Sequence, residues 1–203
     1  MKKTPIEVFS AWAEDGRDEG MEKGHFPAVL DMLGFATKEL DRFSFIDAGC
    51  GNGWVVRMVA AMETCQLAMG VDGSDSMIEK AFSIDPEGNY QVGDLINWNP
   101  NQKVDLVHSM EVFYYLPDPG AVIQRIYDQW LNEGGRLIMG IDFYEENKVS
   151  HSWSDDCGVK GMQLKSIQEW IGLFQTVGFK EIQHWQSGPG ENWAGTLVVT
   201  GVK

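Results

Sequence analysis

Short apolar runs rich in β-branched residues alternate along this chain with longer stretches whose apolar positions recur at helical spacing, the pattern of an α/β sheet. The periodicity predicts two helices in the first forty residues, split by the polar segment EDGRDEGMEKGH, residues 14–25. Strands are expected at Ser44–Asp47, Leu67–Val71, Asn89–Val92, Val104–Ser109 and Gly135–Ile141. Between them fall a helix over Trp54–Thr64, a helix capped by Ser74 that runs to Phe82, and a helix over Asp118–Leu131. Pro119 sits in the first turn of the last of these, where its missing N–H has no partner to lose. A loop of about twenty residues, Asp142 to Met162, is long enough to be functional. An amphipathic helix over Gln163–Val177 follows and stops at Gly178. Phe179–Gln186 and Gly195–Val202 then read as two β segments joined by SGPGENWA.

Length and charge narrow the classes. The 203 residues suffice for one domain with a sizeable core. Formal net charge is -14, and lysine and arginine are scattered, with no cluster beyond Lys2-Lys3. Such a surface repels nucleic acid and anionic membranes, so neither is expected as a partner. No apolar run approaches the roughly 20 residues that a bilayer requires. The start, MKKTPIEVFSAWAEDGRDE, is interrupted by acids and does not read as a secretion signal. Cys50, Cys65 and Cys157 show neither a CxxC pair nor metal-ligand spacing, which points to reduced thiols in the cytoplasm.

The chemistry concentrates in FSFIDAGCGNGW, residues 43–54. Asp47, Gly49, Gly51 and Gly53 stand at alternate positions after an apolar run, and Asp72 closes the next run, LAMGVD. A strand, a glycine turn, a helix and an acid at the tip of the next strand form a nucleoside-binding arrangement. Glycines let the backbone approach a ligand, and the acid can accept hydrogen bonds from ribose hydroxyls. The dinucleotide spacing GxGxxG is absent. The pattern DxGxGxG instead resembles the first motif of the class I S-adenosylmethionine-dependent methyltransferases, and the resemblance covers about residues 25 to 203. It implies a three-layer, Rossmann-like α/β sandwich with a seven-stranded, mostly parallel sheet whose last strand is antiparallel. It also implies one domain over residues 1–203: a helical lid (1–42), a cofactor-binding half (43–142), and an acceptor-side loop, helix and closing strands (143–203).

The resemblance assigns roles along the chain. Asp47, Gly49, Cys50, Gly51 and Gly53 would hold the amino acid part of S-adenosylmethionine, and Asp72 its ribose. Gly73, Ser74 and Met77 would lie along ribose and adenine, and Gly93, Asp94 and Leu95 at the adenine ring. Plainer readings make Asp72 a helix-capping acid and Gly93-Asp94 a simple turn. In VDLVHSMEVFYYLPDP, Ser109 and Met110 would face the methionine part, and Glu111 would contact its ammonium group or a substrate. Tyr114 and Tyr115 would line an acceptor pocket, or else pack in the core with their hydroxyls at the surface. His108 reads as a core residue. Met21, Gly24 and His25 are lid contacts, or part of a surface turn before a helix. Glu22 and His25 share a helix face without further ligands, so no metal site is expected.

In the long loop, Tyr144 and Trp153 are substrate-binding candidates, and Trp193 is a further wall for the pocket. His151 is the general-base candidate because histidine titrates near neutrality; its alternative is an exposed loop position. The expected function is methyl transfer from S-adenosylmethionine to a small-molecule acceptor, mainly by alignment. A protein acceptor or a non-catalytic cofactor-binding regulatory subunit are the alternatives, and a nicotinamide-dependent oxidoreductase is disfavoured by the glycine spacing. An NPPY motif for base amino groups is replaced by SMEV. The compact chain is expected to be a monomer or weak homodimer.

Overall fold

The computed structural model describes residues 2–203. Its centre is the strand Phe43–Ala48 (β1), buried along almost its whole length. The strands Cys65–Asp72 (β2) and Tyr90–Val92 (β3) extend the sheet on one side. Val104–Met110 (β4), Leu131–Ile141 (β5), Lys180–Ser187 (β6) and Thr196–Val202 (β7) extend it on the other. The order is β3-β2-β1-β4-β5-β7-β6. β1 to β5 are mutually parallel, and β7 inserts antiparallel between β5 and β6. The chain moves outward from β1 to β3 and then returns to β4, so a crevice opens where β1 and β4 part. In open α/β sheets ligands bind at this switch point, beyond the carboxyl ends of the strands.

Both faces of the sheet are covered. Strand side chains alternate between them: Leu106, Ile138 and Val198 enter one core, while their neighbours Val107, Leu137 and Val199 enter the other. The first face packs on the helices Asp18–Thr37 (α2) and Trp54–Ala60 (α3), through Met32, Leu33, Val55 and Val59. The second packs on Pro119–Arg125 (α5) and Ile167–Val177 (α7), through Ile123, Trp170 and Phe174. The expected three-layer sandwich with an antiparallel closing strand is therefore the fold. Pro5–Asp15 (α1) and Asp75–Ile84 (α4) lie against each other, joined by a 2.8 Å hydrogen bond between the Ser10 and Ser74 hydroxyls.

Several expected boundaries move. The segment 14–25 is not a break between two helices. The turn is confined to Gly16 and Arg17, and α2 begins at Asp18. Gly16, at φ 74°, ends α1 in the left-handed conformation. Asp18, buried at 4% exposure, is then held by Asn52 at 2.8 Å and Lys80 at 2.7 Å. Those partners make the polar start of α2 a fixed point, so Met21, Gly24 and His25 lie within the helix and not in a surface turn. The Asp118–Leu131 helix ends as α-helix at Arg125 and continues to Trp130 as a wider π turn. β5 starts at Leu131 rather than Gly135, because Leu131 pairs with Val104. α3 stops at Ala60, short of Thr64.

The loop after β5 is partly helical, with a 3₁₀ turn at Lys148–Ser150 and a short helix, Trp153–Asp156 (α6). α7 starts at Ile167, not Gln163, because Ser166 closes a capping box with Glu169. This loop is tied to the N-terminal segment. Lys3 N–H donates to the Gly158 carbonyl and Lys160 N–H to the Lys3 carbonyl, both at 2.9 Å. The Lys2 ammonium reaches Asp155 at 2.8 Å. α1 and the loop thus form one roof over the carboxyl ends of the strands.

Candidate functional site

Beneath that roof lies a cavity of about 350 Å³. Its floor is the glycine turn after β1, with Gly49 and Gly51, and the tip of β2, with Asp72 and Gly73. Its far end is Met110, Glu111 and Tyr115, after β4. Thr4, Pro5, Ile6 and Phe9 of the α1 segment close it from above. Phe9 meets Tyr115 edge to face, with centroids 5.2 Å apart. A smaller cavity of about 60 Å³ adjoins it, between His25, Asp47, Cys50 and Asn52. Met21, Gly49, Gly51, Met77, Met110 and Glu111 border both spaces.

Two glycines show why the turn needs them. Gly49 has φ 80°, and a Cβ there would lie 2.3 Å from a Val112 methyl group. Gly51 has φ 53°, and a Cβ would project toward the cavity, 3.9 Å from the Met77 sulfur. The open cradle over Gly51 is what close approach of a ligand requires. Asp72 is tied to the same turn. Its carboxylate accepts from Gly51 N–H and from Ser74 N–H, each at 2.9 Å. Burial pushes its pKa up, against those two N–H groups. Ser74 caps α4 through Met77 N–H. Asp94 and Leu95 line the cavity, whereas Gly93 makes room for Trp98, 2.5 Å from where its Cβ would be. Gly53 makes room for Tyr90 in the same way. Asp47 lies under the turn, 2.7 Å from His108 Nδ1, in a wholly buried pair. The Ser109 hydroxyl is spent on the Ala48 carbonyl at 2.7 Å. The residues expected at the cofactor thus divide into those that border the cavities and those, Gly53, Ser74, Gly93 and Ser109, that shape their walls from behind.

The acceptor-side expectations fare differently. Glu111, at the end of β4, holds φ 61°, a left-handed conformation rare for a residue with a side chain. Its backbone N–H stays on the Gly140 carbonyl at 2.9 Å, while the carboxylate turns into the cleft. One oxygen accepts from Asp142 N–H and the other from the Tyr114 hydroxyl at 2.6 Å. Tyr114 donates inward, so it is a core residue whose hydroxyl does not reach the surface. Asp142, at the end of β5, is 4% exposed. One of its oxygens is 3.5 Å from His25 Nε2, and the other has no hydrogen-bond partner. His25, Glu111 and Asp142 each offer an atom within 4.8 Å of the others, a spacing that suits a single cation. In the sequence Asp142 marks only the start of a loop. Its role emerges because β5 lies beside β4, which a linear reading does not pair in register.

These charges shift one another. Burial, then the Asp142 charge, raises Glu111 to a pKa of about 8. Burial opposes charge on His25, but the Asp142 hydrogen bond and the Glu111 charge outweigh it, and the imidazole pKa rises. Burial first, and then Glu111, raise both Tyr114 and Tyr115, which stay phenols.

Three candidates lie apart from both cavities. His151 Nε2 is 3.1 Å from the Glu145 carbonyl in the loop. The Tyr144 hydroxyl donates to the Gly195 carbonyl at 2.9 Å and accepts from Gln186, so the side chain packs between strands. Trp153 stacks on Trp193 at 6.3 Å, and together they brace the roof from outside. The structure brings Met21, His25, Glu111 and Tyr115 to the cleft and leaves His151, Tyr144 and Trp153 outside it. The cleft residues Thr4, Pro5, Ile6 and Phe9 carried no sequence signal beyond an amphipathic helix.

A methyltransferase-domain family model matches residues 13–184. The chain belongs to the class I S-adenosylmethionine-dependent methyltransferases. It is 37% identical over 93 residues to the trans-aconitate 2-methyltransferase of Agrobacterium fabrum, covering 46% of this chain and 36% of that protein. It is 25% identical over 178 residues to malonyl-(acyl-carrier protein) O-methyltransferase 1 of Ilyobacter polytropus, covering 85% and 63%. This chain spans about half the length, or less, of the trans-aconitate relatives it matches first. Among solved structures it is similar to a putative methyltransferase in complex with the Haloferax volcanii Trm112 methyltransferase activator, with TM-score 0.81, 27% identity and 96% of both chains covered. PigF with SAH shares the fold at TM-score 0.75 and 18% identity, covering 99% of this chain and 62% of that one. Among the described residues no helix is long and apolar enough to cross a membrane.

Proposed function

We propose that this methyltransferase domain moves the methyl group of S-adenosylmethionine to a small-molecule acceptor inside the roofed cavity. One observation carries the reading: a single cleft runs from the Gly49–Gly51 turn and Asp72 to Glu111 and Tyr115, with α1 partly covering it. Its volume is that of small-ligand sites, and the roof supports a small acceptor over a macromolecular one. Bound S-adenosylmethionine supplies an activated methyl group on a sulfonium. The chain's residues align and enclose. Asp72 takes the ribose hydroxyls, Gly51 admits the cofactor's amino acid part, and Asp94 and Leu95 meet the adenine. Phe9 and Tyr115 keep water from the transfer zone, and alignment of the reactants accounts for the rate. Calorimetric titration with S-adenosylmethionine, S-adenosylhomocysteine and NAD tests it. Micromolar binding of the first two and none of NAD is expected, and binding of neither adenosyl compound would end the reading.

A second observation bears on partners. β3 is one of the two edges of the sheet, and around it Phe82, Ile84, Val92 and Ile96 are all at least 40% exposed. Edge strands with apolar surroundings invite pairing. With the similar methyltransferase seen in complex with Trm112, this favours a small activator subunit of that kind docking at the β3 edge. Gel filtration of the chain with such an activator, using wild type and Val92→Lys, tests it. Co-elution lost in the variant is expected, and separate elution of the wild type would refute docking.

A further inference from the structure

The acceptor end of the cleft sets two carboxylates against one imidazole and has no lysine or arginine. Glu111 and Asp142 come from the tips of adjacent strands and share a buried corner with His25. None of the described residues lining either cavity is lysine or arginine. Glu111 is held as an acceptor on both oxygens, by Asp142 N–H and by the Tyr114 hydroxyl. A buried Asp142 oxygen has no partner at all. Buried carboxylates in such a place call for a cation or a proton. An anionic acceptor such as a tricarboxylate would meet two carboxylates here, with His25 already paired to Asp142 and no lysine or arginine to receive it.

We propose that the His25–Glu111–Asp142 corner is the acceptor subsite and takes a small primary or secondary amine, which enters as its ammonium and gives its proton to Glu111. This inference rests on the methyl-transfer reading above. The step balances within the two reactants. An ammonium proton passes to the Glu111 carboxylate, leaving a neutral amine. The nitrogen lone pair forms a bond to the methyl carbon as the carbon–sulfur bond breaks. That bond's electron pair stays on sulfur, giving neutral S-adenosylhomocysteine and a methylated ammonium. Asp142 stands behind Glu111 and lines neither cavity; it holds His25 at 3.5 Å and adds negative charge to the corner without touching the amine. Tyr115 borders the cavity, its hydroxyl 3.2 Å from that of the buried Tyr114, and both stay protonated. The raised Glu111 pKa, about 8, fits a group that must take a proton from an ammonium and release it to water afterwards.

The test pairs amines with carboxylates on matching aryl skeletons, phenethylamine with phenylacetate and tyramine with 4-hydroxyphenylacetate, and adds butane-1,4-diamine as a multivalent amine and trans-aconitate as a multivalent acid. Methyl transfer is read by mass spectrometry, and S-adenosylhomocysteine affinity by calorimetry in the same preparations. Expected are N-methylated products from at least one amine, none from the acids, and a fall in kcat of about 100-fold or more in Glu111→Gln with S-adenosylhomocysteine affinity kept within about fivefold, the scale of losing a catalytic proton acceptor. The wild-type kcat/KM, which reports the free enzyme, should rise through about pH 8, and the variant should lack that inflection.

Transfer to a carboxylate, or no transfer to any amine by protein that binds the adenosyl ligands, overturns the acceptor class and leaves the methyltransferase reading standing. So does a loss of S-adenosylhomocysteine affinity in Glu111→Gln that matches the loss of turnover, which would give the corner to the cofactor's own ammonium. Activity that a divalent-metal chelator abolishes gives it to a metal ion. Failure of the wild type to bind either adenosyl compound instead overturns the methyl-transfer reading itself.

Discussion

The two ends of the cleft are built in opposite ways. The proposed cofactor end is backbone: a turn of glycines over residues 49–53, anchored by Asp72 through the Gly51 and Ser74 N–H groups. All of it falls within thirty residues of sequence. The proposed acceptor end is side chain, and its three ionisable groups come from α2, the tip of β4 and the tip of β5. A site of the first kind tolerates change only where a Cβ can be accommodated. A site of the second kind can exchange its chemistry while the scaffold stays, which is how one fold serves many acceptors.

The comparison is broken most forcefully at Asp72. Asp72→Ala removes a charged acceptor from the proposed ribose site and should weaken S-adenosylhomocysteine binding by about 1.5–3 kcal/mol, roughly 10- to 150-fold. Calorimetry measures it, with a melting curve to separate lost binding from lost folding, since Gly51 and Ser74 N–H groups also lose their partner. Unchanged affinity would remove Asp72 from the ribose. Next in size is Gly49→Ala. The new methyl group would meet Val112 at 2.3 Å, at a φ of 80° that alanine rarely takes. A loss of stability of about 1–3 kcal/mol is expected from such backbone strain, read by urea denaturation. A melting curve that stays in place would mean the turn can shift.

The acceptor end is sharpened through pH. Glu111 ionises near its usual pKa when unfolded but holds its proton to about 8 when folded. The folded state therefore binds more protons in that window, and stability falls as pH rises from about 4.5 to 8. Glu111→Gln imitates the protonated acid and has no charge to bury. It should melt close to wild type near pH 4.5 and higher than wild type at pH 9, a pattern visible in thermal melts across that range. Parallel curves at all pH values would show that Glu111 is solvated like a surface acid.

What the sequence disclosed follows the same division. The sheet was legible because each buried strand is a short apolar run, and the glycine turn because its chemistry is contiguous. Cleft placement of Met21, Glu111 and Tyr115 could be expected from the motif around them. The Asp142 corner could not be, since it exists only through the β4–β5 pairing of Met110 with Gly140. The start of α2 was misread as a break because its polar residues look solvated in sequence. In the fold Asp18 is buried, and its partners Asn52 and Lys80 lie far along the chain. Thr4, Ile6 and Phe9 belong to a capped helix that any roof or surface could use.

The smallest expected effect concerns His151, the residue that a linear reading favours most as a base. Histidine in a long loop at the carboxyl end of β5 is the right type in the right neighbourhood. Yet the loop folds back through its own 3₁₀ turn, and the imidazole is occupied at 3.1 Å by the Glu145 carbonyl, outside both cavities. A proton acceptor must come within hydrogen-bond reach of the proton it takes, and from this position His151 has a backbone carbonyl for a neighbour instead. His151→Ala should therefore change kcat by no more than about twofold, the scale of an ordinary surface substitution, and leave S-adenosylhomocysteine affinity as it was. A tenfold fall in kcat with affinity unchanged would mean that the loop moves inward during turnover. The base would then sit on the mobile roof rather than on the rigid strand tips, and the division between the two ends of the cleft would have to be redrawn around the loop.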